Sequence, residues 1–295
     1  MLGRSHSSIL DEFERNSVGG RYDPRKADHK AYARKKYARY QGMRIAGNGA
    51  LQKKVEALLY DDQSPAAIAG WLKKRQCRLP PASRDTVYSY IKSPYGRKIE
   101  AHRLRKRRRK GRKRAKVGRL KDRMFINQRP AYINKRTRIG DAEGDFIVSG
   151  KSGKGVLLVI VDRKARTSFL ERIVQPSCAA VTEACKRIKQ RYPEWRSMTT
   201  DNDLLFQHHN ALAAILGIRI YFCHPYHSWE KGSVENVNKH IRKTIPKGSD
   251  ISRHANSFIR KLEAKLNRRI MECLAYRTPR EVLQRYRKRK KRSRA

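Results

Sequence analysis

Three acidic residues stand where carboxylates could do chemistry: Asp145, Asp201 and Glu235. Asp145 lies in Gly140-Asp141-Ala142-Glu143-Gly144-Asp145-Phe146-Ile147, Asp201 in Thr199-Thr200-Asp201-Asn202-Asp203, and Glu235 in Gly232-Ser233-Val234-Glu235-Asn236-Val237-Asn238. Each aspartate alone could as readily cap a strand or helix. Gathered at one edge of a sheet, the three would repel one another unless they shared cations. Hard oxygen donors with open positions suit Mg²⁺ or Mn²⁺. Two such ions about 3.5–4 Å apart would activate a water or a hydroxyl and stabilise a departing oxygen.

The elements that must position them are legible as runs. Phe146-Ile147-Val148, Val156 to Val161 and Thr167 to Val174 are apolar stretches of strand length, followed by a helix over about 178–191. Short strands at Met198-Thr199-Thr200 and Ile218 to Phe222 flank a helix over 205–216, and Glu235 falls on a helix after the last strand. The order βββαβαβα, with runs buried on both faces, predicts an α/β core with a mixed sheet covered by helices.

The surroundings point to a polyanion. With 72 Lys+Arg against 26 Asp+Glu, the formal net charge is +46, and such self-repulsion opposes folding unless a partner neutralises it. DNA or RNA is the expected partner. Ten of the twelve residues from Arg103 to Arg114 are basic, among them Arg105, Arg107, Arg108 and Arg109, which predicts a linker that tracks phosphates; Arg285 to Arg294 reads likewise. Residues 50–92 read as a small helical unit. Ser64-Pro65 opens one helix, and Ser83, Arg84 and Thr86 stand at the start of another, the plan of a helix-turn-helix whose second helix enters the major groove. A plain three-helix core with solvated polar faces is the bland alternative, and the charge favours DNA. Before it, Ser5 to Asn16 suits a short helix ended by Gly19-Gly20.

Other chemistry finds little support. There is no P-loop, dinucleotide fingerprint or G-x-S-x-G, no apolar run long enough to span a bilayer, and no signal-peptide h-region. The five cysteines are scattered, and His208-His209 with Cys223-His224 provide no complete four-ligand zinc set. The expected setting is a reduced cytoplasm, beside DNA.

The ordered motifs resemble the DDE transposases of the bacterial insertion sequence thirty (IS30) family. Tyr221-Phe222-Cys223-His224-Pro225-Tyr226-His227-Ser228-Trp229-Glu230-Lys231-Gly232-Ser233-Val234-Glu235-Asn236-Val237-Asn238 matches its Y-F-x-x-P-Y-x-x-W-x-x-G-x-x-E-N-x-N. Glu143-Gly144-Asp145 matches its E-G-D and Asp201-Asn202 its D-N, with 33 residues (235 − 201 − 1) between Asp201 and Glu235. The resemblance implies a ribonuclease H-like, retroviral-integrase core, a triad of Asp145, Asp201 and Glu235 holding two Mg²⁺ or Mn²⁺ ions, and cleavage and joining of double-stranded DNA at terminal inverted repeats. It also implies a role for Asn238 in orienting DNA or water. Lys239 and Arg242, one and two turns along, are placed to meet phosphates or merely to face solvent. Two ends must be joined, so a homodimer or larger assembly is expected. The chain departs from the pattern at Ala142, where the family has Trp, at Asp203, where it often has Gly, and in starting within the first DNA-binding module. These departures motivate one rival reading, a silent DNA-binding relic; a second is a structure-specific nuclease on the same fold that cuts without strand transfer. The domain plan is 1–48 and 49–96 for DNA binding, 97–136 as linker, 137–284 as catalytic core and 285–295 as basic tail.

Overall fold

A computed structural model describes residues 5–17, 19–38, 43–76, 78–103, 122–150, 153–224 and 227–293. The chain divides into two compact units, Met1–Arg107 and Arg108–Ala295.

The first unit is helical: α1 (His6–Asn16), α2 (Pro24–Ala38), α3 (Met43–Ala46), α4 (Gly49–Tyr60), α5 (Pro65–Arg75), α6 (Arg84–Lys92) and α7 (Arg97–Arg103). Side-chain caps set the starts, since Ser5, Asn48, Ser64 and Ser83 each accept a backbone N–H of the first turn. Gly19 and Gly20 take positive φ between α1 and α2. Ile45, Leu51, Val55, Leu59, Ile68, Leu72, Val87, Tyr90 and Ile99 close one core over α3 to α7. Helix α7 was expected to be linker, yet Ile99 is fully packed, so the folded body continues to Arg103 before the basic run. The connection from α5 to α6 spans eight residues (84 − 75 − 1), longer than the 3–4 of a tight helix-turn-helix.

The second unit holds a five-stranded sheet in the order β3-β2-β1-β4-β5. Strands β1 (Asp141–Val148), β2 (Val156–Asp162) and β3 (Ser168–Ile173) pair antiparallel, while β4 (Ser197–Thr200) and β5 (Arg219–Phe222) run parallel to β1. Three antiparallel strands followed by two parallel crossovers give the ribonuclease H-like arrangement. Ahead of the sheet lies α8 (Ala131–Asn134); this stretch was also expected to be linker, but Ile133 is buried and Phe222 N–H donates to Met124 O at 2.8 Å. Helices α9 (Cys178–Arg191), α10 (His209–Leu216), α11 (Gly232–Thr244), α12 (Asn256–Asn267) and α13 (Pro279–Arg292) complete the unit.

Strand alternation sorts the core into two layers. Leu158 and Ile160 face one way, with Ala142 and Phe146, against Val181, Cys185 and Ile188 of α9, Leu212 and Leu216 of α10 and Leu283 of α13. Leu157, Val159 and Val161 face the other, with Ile147, against Val234, Val237 and Ile241 of α11 and Ile259, Leu262 and Leu266 of α12. Asp145 shares the alternation of Ile147, so it points to the α11 side. Residues 285–292, expected as an extended or weakly helical basic tail, form the end of α13. Arg287 donates through Nε and Nη2 to Glu194, both at 2.9 Å, and Leu283 is buried, which holds this basic helix on the core.

Candidate active site

Asp145 sits mid-strand in β1, and Asp201 follows the end of β4, its parallel neighbour, so adjacent strands deliver both carboxylates to one edge. The residue that joins them is Lys231. Its ammonium lies 3.1 Å from Asp145 Oδ1 and 3.0 Å from Asp201 Oδ2, and its side chain is 6% exposed. Asn238 Nδ2 donates to Asp145 Oδ2 at 2.7 Å. Lys231, which directly precedes α11, and Asn238, on α11, thus both reach Asp145. Glu235 lies between them in sequence, three residues before Asn238 and so on the same side of the helix as Asn238. It is half-buried, and among the described residues it has no hydrogen-bond or ion-pair partner.

Helix α11 is fixed to the sheet at its first turn. Glu143, 1% exposed, accepts the backbone N–H groups of Ser233 at 2.8 Å and Val234 at 3.0 Å through Oε2. An anion at a helix N-terminus meets both unpaired donors and the positive end of the helix dipole. Arg163 lies 3.4 Å from the other oxygen of Glu143, an ion pair rather than a well-formed hydrogen bond. Between the two acids, Gly144 leaves room for neighbours: a Cβ there would meet Met198 Sδ at 2.9 Å and Ile160 Cδ1 at 3.2 Å. Each residue of Glu143-Gly144-Asp145 therefore has its own task.

The electrostatics leave the site short of positive charge. Burial raises the Asp145 carboxyl, Lys231 pulls it down, and Asp201 pushes it up again, with the balance above the ordinary range. Burial would lower the Lys231 ammonium, but the two aspartates more than offset it and hold it charged. Both directions are consistent, because one ammonium shared by two carboxylates leaves one negative charge uncompensated. Asp201 Oδ1 and Asn238 Oδ1 are buried without a hydrogen-bond partner. Asp145 and Asp201 set two carboxylates against one lysine, and carboxylate oxygens of this kind fit a divalent cation. Cys223 is no nucleophile here, since burial pushes its thiol up to about 12.

The chain is similar to known proteins along nearly its whole length. A Bacteroides fragilis protein named transposase for insertion sequence element IS4351 is 32% identical over 291 residues, 95% of this chain and 86% of that protein. Transposase InsI for insertion sequence element IS30A of Escherichia coli K12 is 28% identical over 302 residues, 96% of this chain and 77% of that protein. The chain belongs to the IS30 family of insertion-sequence transposases. As a member it is an enzyme of DNA transposition. The transposase for insertion sequence element IS1086 of Cupriavidus metallidurans is 29% identical over 298 residues, 96% of this chain and 86% of that protein. No family model matches the chain. Among solved structures, the catalytic core domain of BIV integrase aligns with a TM-score of 0.40 and 18% identity, covering 51% of this chain and 97% of that one.

The remaining expected site residues of this transposase fall in different settings. Lys239 is exposed on α11. Arg242 spends donors on carbonyls, Nη2 to Val148 O at 3.1 Å and Nη1 to Pro246 O at 3.2 Å, which ties α11 to the end of β1. Ser83 uses its hydroxyl to cap α6, accepting Thr86 N–H at 3.1 Å, while Arg84 is exposed and Thr86 half-exposed at the same turn. Arg105, Arg107, Arg108 and Arg109 lie outside the described residues. Asp203, a departure from the family pattern, accepts Leu205 N–H at 2.9 Å and so caps the short turn that precedes α10. Ala142, the other, is buried in the α9 layer. Sequence reasoning assigned no task to Lys231, although it lies inside the Trp229-to-Gly232 motif; a lysine whose partners are far along the chain carries no local signature. Among the described residues, no helix is long and apolar enough to cross a membrane.

Proposed function

We propose that this transposase binds the terminal inverted repeats of its element through the first unit and cuts and joins DNA strands with the second. Asp145, Asp201 and Glu235 would hold two Mg²⁺ or Mn²⁺ ions. The observation that carries this reading is the convergence of Asp145 and Asp201 on a single cation position, filled by the Lys231 ammonium at 3.1 and 3.0 Å. Bound there, such ions would supply neutralisation of the charge that develops on the oxygens of a phosphoryl transfer.

The chain's own groups do the positioning. Glu143 holds α11 against β1, and Asn238 fixes the Asp145 carboxylate by its 2.7 Å hydrogen bond. The Lys231 ammonium counters the mutual repulsion of Asp145 and Asp201. Lys239 and Arg242, one and two turns beyond Glu235, would meet phosphates, Arg242 only with the donors left by its bonds to Pro246 O and Val148 O. Arg84 and Thr86, at the first turn of α6, are placed to read base edges, with Ser83 ordering that turn. Arg105, Arg107, Arg108 and Arg109 would follow the phosphate backbone. Joining two ends requires at least two copies, so the working form is a homodimer or larger.

The test is a strand-transfer assay with labelled pre-cut end DNA and a supercoiled target, run with Mg²⁺, with Mn²⁺ and with EDTA. Joined product should vanish with chelator and in Asp145→Asn, Asp201→Asn and Glu235→Gln, while end binding persists. Binding without joining by the wild type would point to a silent relic. Nicks without joining would point to a nuclease.

A further inference from the structure

A second group of metal-type donors stands in the connection between β5 and α11. His224, His227 and Glu230 follow one another at three-residue intervals, Glu230 on the short turn Ser228–Lys231. His224 Nδ1 lies 3.0 Å from Glu230 Oε1, and His227 Nδ1 lies 3.4 Å from the same oxygen. One ligand atom from each residue falls within 4.8 Å of the others. Donors at about 2.0–2.1 Å from a tetrahedral Zn²⁺ stand roughly 3.3 Å apart, the size of the two nitrogen–oxygen separations, with the two histidine nitrogens within 4.8 Å of each other.

The donors are held as ligands need to be. Glu230 Oε2 accepts the backbone N–H of His224 at 2.9 Å, which leaves Oε1 for the two imidazoles. The His224 ring stacks on Phe125, centroids 5.5 Å apart and planes 9° apart. Such outer contacts orient a ligand before an ion arrives. The side chains of His224, His227 and Glu230 are 37%, 44% and 15% exposed, so an ion can enter and water can complete its shell.

We propose that His224, His227 and Glu230 form a second metal site, for one ion of the Zn²⁺ class. Two imidazoles and one carboxylate select a borderline metal such as Zn²⁺ or Co²⁺ over Mg²⁺, whose demand is for oxygen. Binding through Nδ1 requires that nitrogen to be free of its proton, and an imidazole that carries the proton there would pass it through water to Nε2, leaving the charge of the ring unchanged. The ion would tie the end of β5 to the turn that sends Lys231 between Asp145 and Asp201 and starts α11. Its role would be to stiffen that connection, not to contact the reacting phosphate.

The experiment is a titration of the full-length, metal-stripped protein with Co²⁺, read by visible absorption and followed by Zn²⁺ competition. One equivalent per chain should give a d–d band that Zn²⁺ removes and excess Mg²⁺ does not. His227→Ala, which leaves the Glu230–His224 bonds in place, should weaken binding at least about tenfold, as should Glu230→Gln. Asp145→Asn should leave the band unchanged. Absence of a band, a band that survives His227→Ala at full affinity, or one lost with Asp145→Asn would each overturn the site.

Discussion

The Glu143 carboxylate accepts the backbone N–H of Ser233 at 2.8 Å, so the first strand grips the start of the helix that bears Glu235. Ninety residues of chain separate the two. Replacing Glu143 by Gln removes the negative charge from the helix N-terminus and leaves Arg163 buried without its counter-ion. A stability loss of about 1–3 kcal/mol is expected. Slackening α11 should also displace Glu235 and Asn238 and lower the rate of strand joining by on the order of 10–100-fold. Urea unfolding and single-turnover joining measure the two effects separately. Full activity in Glu143→Gln would show that α11 is held in place by its packing alone.

Gly144 is required by the closeness of Met198 and Ile160 rather than by its backbone angles. An added Cβ would lie 2.9 Å from Met198 Sδ, the far end of a flexible side chain, and 3.2 Å from Ile160 Cδ1. Gly144→Ala is therefore expected to cost about 1–3 kcal/mol by overpacking. Adding Met198→Ala should return part of that loss. A double variant no more stable than the sum of its singles predicts would remove the steric explanation.

Lys231 neutralises part of the charge that a divalent ion would otherwise meet. In EDTA, Lys231→Met should leave Asp145 and Asp201 facing each other and lower stability by about 1–3 kcal/mol. Adding Mn²⁺ should then raise the melting temperature of the variant more than that of the wild type. Thermal melts with and without the ion decide it. Equal gains in both proteins would mean that the lysine and the ion do not compete for the same carboxylates.

The parts of the fold legible in the sequence were those with an apolar rhythm. Val156 to Val161 could be read as a strand because it is buried on both faces, and the run of helices after it followed from spacing. The start of β1 was harder, since Asp141, Glu143 and Asp145 alternate with small residues and owe their burial to partners elsewhere: Ser197 and Arg138 for Asp141, α11 for the other two. Arg285 to Arg292 read as a basic, phosphate-tracking tail because charge masked Tyr286 and Arg287, which face the core or Glu194. Asp145, Asp201 and Glu235 were singled out by motif and spacing. Lys231 and the task of Glu143 were not, because both are defined by contacts between elements.

The Arg287–Glu194 pair makes a prediction about pH. Arg287 Nε and Nη2 each reach Glu194 at 2.9 Å, and Nη2 also donates to Arg191 O at 2.9 Å, which fastens α13 across the end of α9. Because the Arg287 side chain is partly exposed, the pair is expected to contribute about 1 kcal/mol, less than a fully buried pair. Burial raises the Glu194 carboxyl, but the Arg287 hydrogen bonds outweigh that and hold it below its ordinary 4.5. A carboxyl lowered in the folded state stabilises fully above its unfolded value, and the contribution fades as pH falls through the lower folded one. The stability gap between wild type and Arg287→Ala should thus be largest near pH 7 and shrink below pH 4.5. Urea titrations of both proteins across that window measure it. A gap that keeps its size in acid would assign the loss to the aliphatic stem of Arg287 packing on the core, with no share from the charge.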